Sequence, residues 1–267
     1  MPLSSDKSPQ DGRIERVLKA KKMITLNKWR RGFSFAPDGR DDLTMYLWFY
    51  EWNMFEAVHP GQHTGGAHVP QKTLNDNAGV LEHPDLGLHL NVTGSENGAD
   101  LLLSITNKTE RTWPEIAAII PCFNPGKQPE VSETRAFFDD DHERTYFLAE
   151  EGLVPLIHRD IHYNHTFRSA IDTETVWSDK WPTSPTNATG GILMRESTDR
   201  TWVAGIAWAD FLSVQGHNPW RCMHQSIRAG ALAPEETATI RGKIYLFEGS
   251  RHDCIEKFKS DFIYGRV

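Results

Sequence analysis

The sequence predicts an all-β protein: an antiparallel β-sandwich with few short helices and a C-terminal helix. Three observations carry that expectation. Short runs rich in β-branched and aromatic residues recur along the whole chain, with Gly, Pro, Asn and Asp between them. No alternation of strands with long helices occurs, which removes the parallel α/β folds. No self-similar period of about 20 to 50 residues is visible, which removes propellers and solenoids.

The elements follow in order. Residues 1–13 (MPLSSDKSPQDGR) are polar and read as a disordered tail. Residues 14–267 read as a single sandwich domain, because no linker divides them. Residues 14–23 suit a short helix, and the basic run Arg16 to Arg31 reads as a solvated helix face or an edge strand. LTMYLWFYEW, 43–52, is a buried strand, followed by a Gly- and His-rich loop, HPGQHTGGAHVP, at 59–70. LGLHLNV (86–92) alternates, ADLLLSITNKTERTW (99–113) is a strand leading into a turn, and IAAIIPCFNPG (116–126) is an apolar strand stopped by Pro and Gly. RTYFLA and LVPLIHRDIHYNHTF supply short strands, and KWPTSPTNATGG a long turn. GILMRES (191–197) and RTWVAGIAWADFLSV (200–214) read as a hairpin about Thr198-Asp199. CMHQSIR (222–228) alternates. The last long strand sets Ile240, Gly242, Ile244 and Leu246 against Thr239, Arg241, Lys243 and Tyr245. In the tail, Cys254, Phe258 and Phe262 recur at helical spacing, with Ser250 suited to the N-cap.

Composition narrows the function. The chain has 267 residues, 39% hydrophobic and 24% charged, a length that a single all-β domain reaches. Nine Trp and thirteen Phe fill a core and also suit platforms for the apolar faces of sugar rings. The net charge of −7 argues against phosphate-backbone binding, so no nucleic-acid partner is expected. Three cysteines with no CxxC pair argue against a disulfide framework and against a thiolate zinc cluster. The first residues lack an apolar signal core, and no run reaches the roughly 18 apolar residues of a membrane helix. The expectation is a cytoplasmic protein without a membrane partner.

Twelve histidines form the chemical signal, and most of them cluster. His59, His63 and His68 sit in the loop with Gly61, Gly65 and Gly66, where glycine lets backbone close around a ligand. His63 and His68 are candidate metal ligands there, and Gln62 a candidate substrate-binding residue. A polar loop that simply carries histidines is the bland alternative. In HRDIHYNH, strand alternation would put His158, Asp160 and His162 on one face, Asp160 orienting one imidazole while another moves a proton near neutral pH. A solvated edge strand is the alternative. In QGHNPWRCMHQS, His224 would share a strand face with Cys222 and Ser226, and His217, Asn218 and Trp220 would stand at the strand entrance. With Trp208 from the preceding segment they make a candidate sugar subsite, in which His224 is also a candidate catalytic group and His217 and His224 candidate metal ligands. The acidic run Asp139 to Asp141 lacks calcium-loop spacing and reads as a solvated turn. Neither G-x-G-x-x-G, G-x-S-x-G nor HExxH occurs, which removes the dinucleotide, nucleophile-elbow and zincin readings.

Two segments carry a family resemblance. DLLLSITNKTERTWP (100–114) and GALAPEETATIRGKIYLF (230–247) resemble the strand-and-turn "N-x-(S/T/D)" stretch and the final "L-x-P-G-E" turn of the galactose-mutarotase-like (supersandwich) proteins. The usual turn glycine is Glu235 here, a departure from the pattern. The resemblance implies a supersandwich-like fold with a sugar-sized cleft on the concave face of a sheet, and assigns no reaction. Together these readings anticipate a carbohydrate-active enzyme using His-mediated proton transfer, as an epimerase, a lyase or a glycoside-cleaving enzyme. A His-bound divalent metal (zinc, manganese or calcium) is a variant, and the ligand would be a small carbohydrate or glycoside. The alternative is a non-catalytic carbohydrate-binding module or an accessory subunit, acting as a homo-oligomer or with a partner chain.

Overall fold

The computed structural model describes residues 24–51, 69–125, 142–173, 181–215 and 222–265. In chain order the strands are β1 (Ile24–Trp29), β2 (Gly32–Pro37), β3 (Met45–Glu51), β4 (Gln71–Asn75), β5 (Ala78–His83), β6 (Leu88–Ser95), β7 (Gly98–Thr106) and β8 (Ala118–Pro125). They continue as β9 (Thr145–Ala149), β10 (Gly152–Pro155), β11 (Ile161–Tyr163), β12 (Ala188–Glu196), β13 (Trp202–Trp208), β14 (Phe211–Gln215), β15 (Met223–Arg228) and β16 (Thr237–Glu248). A short helix, α1, covers Arg168–Thr173, and α2 covers Arg251–Phe258. Among the described residues no helix is long and apolar enough to cross a membrane.

The strands form two antiparallel sheets. One has seven strands in the order β1-β2-β3-β8-β15-β14-β11, and the other has nine in the order β10-β9-β12-β13-β16-β7-β6-β5-β4. Strand alternation explains how they meet. In β7, Ala99, Leu101, Leu103 and Ile105 are buried while Leu102 between them is 41% exposed. The inward residues of the nine-stranded sheet pack on Phe33, Phe35, Met45, Leu47, Phe123 and Met223 of the seven-stranded one. Burying each such side chain contributes about 1.5–3 kcal/mol, which is what holds the layers together.

The predicted single strand over 200–214 is two strands in two sheets. Trp208 ends β13 in the nine-stranded sheet, and Phe211 begins β14 in the seven-stranded one. The bend at Ala209-Asp210 is fixed on both sides: the Ala209 N–H donates to Arg241 O at 2.8 Å, and the Arg228 guanidinium grips Asp210 at 2.8 and 3.0 Å. Trp208 therefore points into the inter-sheet core, where it is 1% exposed, packed over Gly242, whose missing Cβ leaves room for the indole.

On the outer side of the nine-stranded sheet, α2 does what its spacing predicts. Ser250 caps it, with a reciprocal box to Asp253. Cys254, Ile255, Phe258 and Phe262 cover Ile192, Met194, Val203, Ala207 and Phe247, and the last turn widens to a π-helix over Lys259–Tyr264. The strands β2, β4 and β5 were not anticipated, whereas β1 is the edge strand that the basic run allowed. β4 (QKTLN) alternates between exposed and half-buried positions, but Leu74 is its one apolar residue, so its sequence shows no hydrophobic alternation. β1 lies at the edge of its sheet, inside the basic run, and the helix expected over 14–23 lies outside the described residues.

The two segments that carried the resemblance lie side by side, because β7 pairs with β16 along its length. Buried Asn107 ties their turns. Its Nδ2 donates to Arg111 O and Leu232 O, both at 2.8 Å, and its Oδ1 accepts from the Thr109 N–H and hydroxyl. Its own backbone N–H donates to Glu236 O, and its carbonyl accepts from the Glu235 N–H. Glu235 has φ +63°, the left-handed conformation that favours the glycine usual in the resembling turn.

Candidate functional site

Cross-strand pairs define the outer face of the seven-stranded sheet. Trp29 faces Gly32, Gly32 faces Trp48, Trp48 faces Cys122, Cys122 faces His224, and His224 faces Gln215. Directly opposed residues share a sheet face, so these side chains form one row. A neighbouring row runs Ser34, Tyr46, Asn124, with Cys222 preceding β15 beside it. The alternate residues, Met223, Phe123, Leu47 and Phe33, point into the core. This outer face therefore carries an aromatic end and a sulfur–imidazole end.

At the aromatic end, Trp29 lies 4.6 Å from Tyr46 and 5.2 Å from Trp48, tilted against both. The Arg30 guanidinium sits 5.4 Å over the Trp29 ring. Trp29 is half-buried and Trp48 buried, and the Trp29 Nε1–H makes no hydrogen bond to the described residues. At the other end, Cys122 Sγ is 3.3 Å from His224 Nε2, and one ligand atom from each of Cys122, Cys222 and His224 lies within 4.8 Å of the others. All three residues are buried, and neither cysteine is in a disulfide.

The environment favours the Cys222 thiolate. Its pKa is held well below the ordinary thiol value, first by the hydrogen bond from Cys122, and further by the hydrogen bond and charge of His224 and by the Asn124 amide. These outweigh the loss of hydration that opposes them. Asn124 Nδ2 is buried beside this sulfur without an aligned hydrogen bond of its own. A thiolate against an imidazole can relay a proton, and two sulfurs with an imidazole are ligands for soft metals.

The anticipated residues fall differently. The strand holding His162 begins only at Ile161, so His158, Asp160 and His162 do not share a strand face, and His158 is exposed in a bend. His162 faces Val214 and so points into the sandwich, where its ring lies 4.2 Å from Phe147 and tilted against it. Its Nδ1 lies 2.9 Å from Thr186 O and its Nε2 3.1 Å from Asp160 Oδ1. The Nδ1 contact ties β11 to the segment before β12, whereas Asp160 Oδ1 comes close to the ring without an aligned hydrogen bond. His162 and His224 thus lie on opposite sides of one sheet. Trp208, expected to line the site, is in the core. His59, Gln62, His63, His68, His217, Asn218, Trp220 and the acidic run Asp139 to Asp141 lie outside the described residues.

Sequence reasoning missed Trp29, Tyr46, Trp48, Cys122 and Asn124. A signal for some existed: Tyr46 and Trp48 alternate with Met45, Leu47 and Phe49, and Cys122 and Asn124 flank Phe123. Spacing motifs could not find the cluster, because Cys122 and His224 are 102 residues apart and meet only across β8 and β15. A groove of about 470 Å³ on the outer side of the nine-stranded sheet is lined by Asp100, Arg241, Lys243 and Asp261 among others. Lys243 bridges Asp100 and Asp261 at 3.3 Å each, so much of its charge is internally paired.

No known protein-family model matches the chain, and no curated protein matches it. Solved structures do. A galactose mutarotase-like protein from Lactobacillus casei is 8% identical, over 84% of this chain and 100% of its own, with a TM-score of 0.43. A galactose mutarotase related enzyme from Lactobacillus acidophilus is 9% identical, over 86% of this chain and 99% of its own, with a TM-score of 0.40. A galactose mutarotase-like protein from Clostridium acetobutylicum is 10% identical, over 85% of this chain and 79% of its own, with a TM-score of 0.39. The similarity is one of architecture, two antiparallel sheets with few helices.

Proposed function

We propose that the chain is a carbohydrate-active enzyme whose site is the outer face of the seven-stranded sheet. One observation carries the reading: the pairing register sets the aromatic group Trp29, Tyr46 and Trp48 in line with the Cys122–Cys222–His224 cluster. An indole offers a flat apolar surface with a polar edge, which suits the face and hydroxyl rim of a sugar. The Trp29 Nε1–H and the Asn124 amide are donors of the kind that hydroxyl oxygens accept from. At the far end, His224 beside the Cys222 sulfur is the group that takes or gives a proton at a sugar carbon or glycosidic oxygen, the chemistry of an epimerase, a lyase or a glycoside-cleaving enzyme. In this reading a small carbohydrate or glycoside is the substrate.

His162 lies on the core side of the sheet, opposite Val214 and beside Phe147, and has no part in this chemistry. The test is a panel of free sugars and glycosides followed by proton NMR in heavy water. Anomerisation, solvent-deuterium uptake at a ring carbon, or cleavage that disappears in His224→Gln supports the reading. Binding without turnover moves the protein to the class of carbohydrate-binding modules. No binding and no turnover across the panel overturns the sugar assignment.

A further inference from the structure

We propose that Cys122, Cys222 and His224 together bind one soft transition-metal ion, with zinc as the first choice. The donor set argues for it: two sulfurs and an imidazole are preferred ligands of zinc. The spacing argues for it too. Ligand bonds of about 2.3 Å to sulfur and 2.0 Å to nitrogen at tetrahedral angles put the two donor atoms about 3.5 Å apart. Cys122 Sγ and His224 Nε2 are 3.3 Å apart, and the Cys222 donor closes the triangle within 4.8 Å. The scaffold is rigid, since Cys122 and His224 are directly paired residues on adjacent central strands.

The obvious rival is a Cys122–Cys222 disulfide, and the register opposes it. Cys122 faces His224, so Cys222, two residues back, is its diagonal neighbour. Diagonal positions stand about 7–8 Å apart. A disulfide wants Cα atoms about 4.4–6.8 Å apart. A metal spans that gap without moving the backbone. Three protein ligands also leave a fourth position, as catalytic zinc sites do, and a water held there has its pKa lowered towards about 7. With metal bound, His224 is a ligand, and proton transfer passes to that water. This last step rests on the carbohydrate reading; the metal site does not.

The experiment uses the full chain, purified without a histidine tag and stripped with chelator. Zinc and cobalt are titrated back, zinc uptake being followed by elemental mass spectrometry and cobalt by absorption. The expected result is one ion per chain and a cobalt spectrum with thiolate-to-metal charge transfer and the intense visible bands of a four-coordinate ion. Cys122→Ser and Cys222→Ser should each weaken binding on the order of 100-fold or more, because losing even an outer partner of a ligand costs about 10- to 100-fold. If a variant fails to fold by circular dichroism, the wild-type cobalt spectrum decides alone. Folded wild-type protein that takes up no stoichiometric ion, or a cobalt complex without a thiolate band, overturns the proposal. So does undiminished binding in both folded variants, which would place the ion on other residues. Running the sugar panel on stripped and loaded protein separates the two ideas: a bound ion with no sugar response sinks only the carbohydrate reading.

Discussion

The two sheets treat their outer faces in opposite ways. The nine-stranded sheet hides part of its face under its own C-terminal helix, with apolar contacts from Cys254, Ile255, Phe258 and Phe262. The seven-stranded sheet buries Tyr46, Trp48, Asn124, Cys122, Cys222 and His224 instead. Burying polar groups costs stability unless they are paired, so a fold gains little by gathering them for support alone. The same residue type shows the contrast. Burial pushes the Cys254 thiol well up, while Cys222, equally hidden, is held down by Cys122, His224 and Asn124. One face is packed with apolar side chains, and the other is where the proposed chemistry is placed.

That contrast can be broken or sharpened by substitution. The largest effect is expected at the sulfur–imidazole end. His224→Gln should lower turnover of any identified substrate by about 10²- to 10⁴-fold while the thermal midpoint shifts only slightly. Retained turnover would return the face to packing. On the other sheet, Phe258→Ala should cost about 3–5 kcal/mol in chemical denaturation and leave ligand affinity unchanged. Asn107→Ala, which strands the carbonyls and N–H groups it now ties, should cost about 2–4 kcal/mol by the same measurement. Trp29→Ala should do the reverse, weakening sugar binding about 10-fold with little loss of stability. The smallest effect is at the turn: Glu235→Gly relieves a left-handed backbone and should raise stability by roughly 0.5–1 kcal/mol. It gives up only the exposed contact to Lys108, worth little in water.

A pH series sharpens the comparison further. The folded pKa of Cys222 is depressed, so in metal-free protein its thiolate adds stability that is complete above the unfolded thiol value of about 8.5. That increment is lost as pH falls through the lowered folded value. Cys222→Ser should flatten the denaturation profile in that window, and wild-type protein should show thiolate ultraviolet absorbance near neutral pH that the variant lacks. Identical profiles would mean that the sulfur is held as a neutral thiol.

How much of this was legible depends on which forces write themselves along the chain. The alternation in β7 and β16 and the capped, heptad-like tail around Ser250, Cys254 and Phe258 are local patterns, and reading them gave the layers and the covering helix. The pairing of Trp48 with Cys122 and of Cys122 with His224 is long-range, and nothing near any of them announces the others. His162 misled because a row of polar residues looks the same whether it faces a ligand or, as here, the core side of a sheet beside Thr186 and Phe147. The break at Ala209-Asp210 was invisible because both halves of the run are equally apolar.

That break has a further consequence for how the molecule comes apart. Successive segments β13 and β14 belong to different layers, joined by a bend with no slack and held by Arg228. The chain also passes from one layer to the other at several further points, so pulling on either layer tugs at its partner. Neither sheet is free to peel away and leave its partner standing, so protection of backbone amides against exchange should be lost from both layers together, in one concerted event.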